Sequence, residues 1–374
     1  MTGAILGCLR DRRRLLLGSA LLALALLMPV MPSAAAIKAQ TGGREAQWFS
    51  NPVLGQGEDP SVITYGGWYY YTQSSPDTMY ISIRRSRSIK SLAASVRHVV
   101  WRGGRAGSPC CDWWAPELHV INGRWYIYTT ADDGINANHR LQVVEARSPL
   151  GPFIYKGQLS TPGNFWSIDP SPLQLPDRKL FLFWSGWPGT TNGIQNIYIA
   201  QMSNPWTVSS GRTQLSTPSD PWELHPNPAM PPANPTVYVN ESPEPILHRS
   251  TISVTYSGSG CFTPDYALGL LSAQVDSDLL NPSSWTKSPT PIFQSNPAAD
   301  IYGPASNGFF LSPDGTQTWF AFHAVTDQAG NCGWERNVYA QRVTWRANGT
   351  PALGGMPHPM TKPIKVPSGD PGAP

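Results

Sequence analysis

Three acidic residues stand at matching places in a recurring segment. Asp59 opens Asp59-Pro60-Ser61, Asp169 opens Asp169-Pro170-Ser171, and Glu241 comes one residue ahead of Ser242-Pro243. Three carboxyls gathered at one point can supply a water activator, a proton donor and a neighbour that tunes the donor. Cleaving a glycosidic bond needs those parts: one carboxylic acid protonates the leaving oxygen while a carboxylate acts on the other side. With inversion the two stand roughly 6.5–9.5 Å apart, leaving room for water. The donor must stay protonated near neutral pH, which burial or a nearby negative charge achieves. Asp-Pro at the start of a strand is also ordinary turn chemistry. The shared register of the three lifts them above that reading.

The segment that carries them occurs five times. Helix signals are scarce, because 38 Pro and 34 Gly leave few windows for uninterrupted turns. Each copy instead begins with a small or acidic residue near a proline, passes a tight turn and returns in an aromatic-rich strand. Asp59 to Tyr65 leads to Trp68-Tyr69-Tyr70-Tyr71-Thr72, and Ala115 to Val120 leads to Trp125-Tyr126-Ile127-Tyr128-Thr129. The third copy runs from Asp169 to Leu180-Phe181-Leu182-Phe183-Trp184, and the fourth from Ser242 to Ile252-Ser253-Val254-Thr255-Tyr256. The fifth runs from Gly303-Pro304-Ala305-Ser306 to Trp319-Phe320-Ala321-Phe322-His323. A third strand follows in most copies. Repeats of this length, each a small antiparallel sheet, predict an all-β, five-bladed β-propeller rather than a stack of sandwiches. The innermost strands of a propeller line its axis, so Asp59, Asp169 and Glu241 are expected to meet at one mouth.

Charged residues make up 14% of the chain against roughly 25% in an average globular protein. Formal net charge is +3 and no basic stripe lies outside the first residues, which excludes nucleic acid as a partner. Aromatics reach 11%, including 15 Trp, a composition suited both to a neutral polyhydroxylated ligand and to a propeller core. Arg10 to Arg14 precede an apolar run from Leu15 to Met31 and the small residues Ser33-Ala34-Ala35-Ala36, so residues 1–36 read as a signal peptide. Gly18, Ser19, Pro29 and Pro32 interrupt the run, which argues against a retained anchor of the ~20 residues that a membrane span needs. The expected product is a secreted or periplasmic monomer with no membrane association, a catalytic propeller over 37–366 and a disordered tail over 367–374. Cys110, Cys111, Cys261 and Cys332 allow three full pairings, and the sequence leaves the choice open. They lack the spacing of a zinc site.

Glu58-Asp59-Pro60-Ser61-Val62, Trp114-Ala115-Pro116-Glu117, Ser167-Ile168-Asp169-Pro170-Ser171 and Asn240-Glu241-Ser242-Pro243 resemble, in order, the motifs of glycoside hydrolase family 43. The resemblance covers about Asn51 to Pro357. Tyr256 to Cys261 and Tyr266 to Leu271 look like the arabinofuranosidase-type branches of that family. It implies that Asp59 is the general base, Glu241 the general acid and Asp169 the residue that tunes and orients the acid. It further implies that Trp114 lines the sugar subsite and that Arg336 contacts the sugar or steadies the acids. Trp113, Trp166 and Trp187 are expected in loops flanking the mouth. Glu117 and Glu244 read as structural or rim groups, and His323 as a core residue.

Two departures stand out. Family members often carry Gly-Pro-Gly-His in the fifth blade, where the His helps hold a central calcium or water cluster; here Gly303-Pro304-Ala305-Ser306 lacks it, so no metal or other cofactor is expected. Ser242 replaces the usual Gly or Ala after the acid, with a hydroxyl within reach of the carboxyl. The implied activity is inverting release of L-arabinofuranose from arabinan or arabinoxylan side chains of plant cell walls. A β-xylosidase or another specificity of the family, and a non-catalytic sugar-binding propeller, remain as alternatives.

Overall fold

The computed structural model describes residues 47–225, 237–333 and 335–372; the expected signal peptide lies outside them. Five antiparallel sheets follow one another along the chain. Blade one comprises Ser61–Tyr65, Trp68–Thr72, Tyr80–Ser86 and Arg97–Arg102, and blade two Cys111–Ile121, Arg124–Asp132, Arg140–Ala146 and Ile154–Gln158. Blade three is built on Ser167–Gln174, Leu180–Gly186 and Ile194–Asn204, blade four on Tyr238–His248, Thr251–Gly258 and Ala267–Gln274, and blade five on Tyr302–Leu311, Thr318–Val325 and Asn337–Arg342. A short parallel pairing of Ile194 and Gln195 with Tyr238 and Val239 stitches blade three to blade four.

The first strands touch in cyclic order, and that of blade five touches that of blade one. The ring closes, and the fold is a five-bladed β-propeller. Residues ahead of blade one complete the closure. Val53 N donates to Val338 O and Val338 N to Leu54 O, each at 2.8 Å, which covers the outer edge of blade five. Trp48–Phe49 also pairs antiparallel with Ile364–Lys365.

Hydrophobic packing follows the same plan. Each of five core clusters fills the space between two neighbouring blades, such as Tyr69, Tyr71, Phe310 and Trp319 between blades one and five. Alternate side chains of a strand face opposite sides of its sheet, so every blade supplies aromatics to both neighbours. Most of the aromatic enrichment serves this purpose. Phe322 shows the economy: fully buried between blades four and five, it stacks on Tyr339 at 5.5 Å and meets Phe293 edge-on at 4.9 Å. Phe322→Ala is expected to cost about 3–5 kcal/mol in urea unfolding, and a loss below about 1 kcal/mol would show that the seam repacks.

The tail departs from expectation. Residues 367–372 are held in place: Ser368 N donates to Gln317 Oε1 at 3.2 Å, and Asp370 Oδ2 accepts from Ile89 N at 2.8 Å. Capping backbone groups on blades one and five orders a segment whose composition alone looks loose.

Candidate active site

Each inner strand is broken at one equivalent place, and that break aims the side chains. Asp59, Ala115, Asp169, Ser242 and Ser306 all have positive φ, between 43° and 54°. In blades two to five the register slips across that residue and the next, between Trp114 and Glu117, Ile168 and Ser171, Glu241 and Glu244, and Ala305 and Gly308. These are β-bulges, which turn a side chain out of the alternation. All five residues line one small cavity of about 20 Å³ on the axis, room for a single water. Blade five holds a correction: the equivalent position is Ser306, followed by Asn307, whereas Gly303-Pro304 occupies an earlier bulge between Tyr302 and Ala305.

Above the axial cavity opens a pocket of about 430 Å³. The three acids found in the sequence, Asp59, Asp169 and Glu241, all line it. Ser306 Oγ donates to Asp59 Oδ1 at 2.9 Å and Ser74 Oγ to Asp59 Oδ2 at 2.8 Å. Burial alone would raise the Asp59 carboxyl. The Arg336 guanidinium, the His323 ring and the two hydroxyls outweigh it and hold the group below the ordinary aspartate range. Glu241 lies under the opposite influence. Burial first, then the charge of Asp59, push it up to about 7, against a 2.8 Å hydrogen bond from Tyr266 OH and the pull of Arg336. Asp169 is raised well above its ordinary value by burial and by Glu241 and Asp59. The charge that raises Glu241 therefore comes from Asp59, while Asp169 answers to both.

Arg336 lines the pocket and is steadied by the chain around it. Its Nη2 lies 2.6 Å from Glu58 Oε1 and 3.0 Å from Cys332 O. His323 accepts from the Asp59 backbone N–H at Nδ1, 3.2 Å away. Burial and Arg336 lower its basicity to about 3, so the neutral ring keeps its one proton on Nε2. The 3.4 Å approach of Arg336 Nη1 to Nε2 is then packing rather than a bond. His323 is thus buried, as expected of a core residue, yet it braces Asp59 directly. Glu117 and Glu244 lie deeper, both pushed up to about 8, burial first. Glu244 accepts from Ser171 Oγ and Phe309 N, each at 3.0 Å, and Glu117 meets His119 Nε2 at 2.9 Å.

Trp114, Trp166 and Trp187 form one pocket wall with Ile168. Trp166 and Trp187 stack at 4.8 Å and 11°, and Trp114 covers His139 at 4.0 Å. Trp113 does not belong there. It lies fully buried in the core between blades one and two, 6.0 Å from Trp101, because its neighbour Trp114 takes the pocket side. The indole nitrogens of Trp166 and Trp187, Asn192 Oδ1 and Gln195 Oε1 are buried with no protein partner, although each residue lines the pocket. Such atoms suit a ligand rich in hydroxyls.

The cysteines pair as Cys110–Cys111 and Cys261–Cys332. The second bridge lines the pocket and ties the segment leading to Tyr266 to the one leading to Arg336. The residues on the axis do not fit a hydrated cation: the cavity has the size of one water, and the Ser306 and Ser242 hydroxyls already lie on carboxylates or each other. Among the described residues, Asp112, Asp132 and His139 bring possible ligand atoms within 4.8 Å of one another. Those side chains already bond Thr78 Oγ1, Gly134 N and Asn136 O, and so support the floor under Trp114.

Sequence reasoning missed Ser74, Tyr266 and the axial roles of Ser306 and His323. Ser242 was noted for its hydroxyl, but that hydroxyl bonds Asp169 rather than Glu241.

The family profile of glycosyl hydrolases family 43 matches residues 49–351. The chain is 34% identical over 317 residues to an extracellular exo-α-(1→5)-L-arabinofuranosidase of Streptomyces avermitilis, covering 82% of this chain and 63% of that protein. It is 31% identical over 281 residues to a protein of the same name from Streptomyces chartreusis, covering 74% and 82%. The chain thus spans somewhat less than two thirds of the first relative's length. A crystal structure of an α-L-arabinofuranosidase from Lactobacillus brevis superposes with a TM-score of 0.75 at 30% identity, over 86% of this chain and 99% of that one. Profile, relatives and architecture agree, and the chain belongs to glycosyl hydrolase family 43.

Proposed function

We propose that this protein is an inverting glycoside hydrolase that releases L-arabinofuranose from arabinan or arabinoxylan side chains. The observation that carries the reading is the opposite tuning of two carboxyls in one pocket: Asp59 is held ionised, and Glu241 stays largely protonated to about pH 7. Asp59 takes a proton from water as that water attacks the anomeric carbon. Glu241 delivers its proton to the departing oxygen. Arg336 and the hydroxyls of Ser74 and Ser306 keep Asp59 charged, and Tyr266 fixes the orientation of Glu241. The tryptophan wall offers flat faces to sugar C–H groups and free indole N–H groups to hydroxyls.

The choice of sugar follows the names of the relatives, arabinofuranosidases all. The names of two also place them outside the cell, consistent with a cleaved leader over residues 1–36. Among the described residues, no helix is long and apolar enough to cross a membrane. A panel of nitrophenyl glycosides tests the assignment. Release from the α-L-arabinofuranoside, with β-L-arabinofuranose as the first anomer seen by NMR, is expected. Release from the xyloside alone would move the substrate. Binding of polysaccharide with no release from any glycoside would make the propeller a sugar-binding module.

A further inference from the structure

The four polar residues on the axis form an unbroken hydrogen-bonded line. Ser306 Oγ lies 2.9 Å from Asp59 Oδ1 and 3.1 Å from Ser242 Oγ, and Ser242 Oγ lies 3.2 Å from Asp169 Oδ2. Around the ring this passes through blades one, five, four and three in order. Ala115 occupies the equivalent place in blade two and offers no hydroxyl, so the line has two ends, and both are carboxyls facing the pocket. Ser306 is 4% exposed, Ser242 is partly buried, and the two share the one-water cavity.

Inversion leaves the proton inventory in the wrong places. When the sugar departs, Asp59 holds the proton taken from water and Glu241 has lost the one given to the leaving oxygen. Asp59 must lose that proton and Glu241 must regain one before the next turnover. We propose that Ser306 and Ser242 form a proton-return path that carries it, from the base around the propeller axis to Asp169 and thence to the acid. Asp169 gives its proton to Glu241 through the water of the pocket. Asp59 O–H then passes a proton to Ser306 Oγ, Ser306 passes its own to Ser242 Oγ, and Ser242 passes its own to Asp169. Each hydroxyl gains one O–H bond and loses one, both serines end neutral, and no co-reactant is consumed. The direction fits: Ser306 donates to Ser242 and Ser242 to Asp169, the order in which a proton received from Asp59 must move. The raised Asp169 and lowered Asp59 support that polarity.

The inference rests on the hydrolase reading, and the experiment separates the two. Ser306→Ala and Ser242→Ala each cut a different link. On an arabino-oligosaccharide, the first turnover of Ser242→Ala by rapid quench is expected to slow less than about threefold, and that of Ser306→Ala to slow further because Asp59 also loses a hydrogen bond. Steady-state turnover is expected to fall about tenfold, giving a burst near one product per enzyme, and formate or imidazole in the buffer should restore most of it. Equal slowing of the first and later turnovers, with no burst and no rescue by buffer, would make the serines positioning groups for Asp59 and overturn the return path alone. Unchanged steady-state rates in both variants would overturn it too. A wild-type enzyme without turnover on any glycoside would remove the hydrolase reading and the path with it.

Discussion

Glu241→Gln is expected to lower kcat on an arabino-oligosaccharide by about 10³-fold, within the 10²–10⁴ range typical of a positioned acid or base. The amide keeps the size of the side chain and accepts the Tyr266 hydroxyl, which lies 2.8 Å from Glu241 Oε1. The loss then reports the missing proton rather than a collapsed pocket. A nitrophenolate leaves without help from an acid, so the same variant should retain far more activity on a nitrophenyl arabinofuranoside. The ratio between the two substrates is the decisive number. The alkaline limb of the wild-type profile near pH 7, set by Glu241, should vanish in the variant's residual nitrophenyl activity. Equal losses on both substrates would mean that Glu241 binds or orients instead of protonating.

Why the three acids were legible in the sequence, and other parts of the site were not, follows from where their information lies. Asp59, Asp169 and Ser242 fill one structural position in three blades, and a repeat written in prolines marks that position directly. Blade five breaks the pattern. Its proline falls in an extra bulge at Gly303-Pro304, so the axial residue, Ser306, sits where no proline flags it. The role of His323 depends on facing Ala305 across two strands, a register the aromatic pattern does not specify. Trp113 and Trp114 differ only in strand parity, and Trp113 supplies core while Trp114 supplies wall. Composition correctly announced aromatics in excess. It could not divide them between five seams and one pocket, because both environments select the same rings. The tail was misread for a related reason: Ser368 and Asp370 are ordered by partners about fifty and nearly three hundred residues away.

Asp59→Asn should prove at least as damaging, but with a different signature. Activation of water is needed whatever group departs, so the expected fall of about 10³-fold applies equally to oligosaccharide and nitrophenyl substrates. The charge of Asp59 is also one of the influences that raise Glu241 and Asp169. Removing a neighbouring negative charge favours ionisation, so Glu241 should titrate below about 7 in the variant and the alkaline limb of the residual activity should move toward acid. The sign is opposite for Tyr266→Phe: the tyrosine hydroxyl favours ionised Glu241, and its loss should move that limb toward alkali. On the acid side the wild-type limb is expected to follow Asp59 and to lie below the ordinary aspartate range, so activity should persist at a pH where an unpaired aspartate would be half protonated. Stability carries the same sign: ionised Asp59 favours the native state above the unfolded aspartate value, and that contribution is lost as pH falls through its lower folded value. A profile for Asp59→Asn with its alkaline limb unmoved would show that the two carboxyls do not sense each other, and the division of labour between them would lose its physical basis.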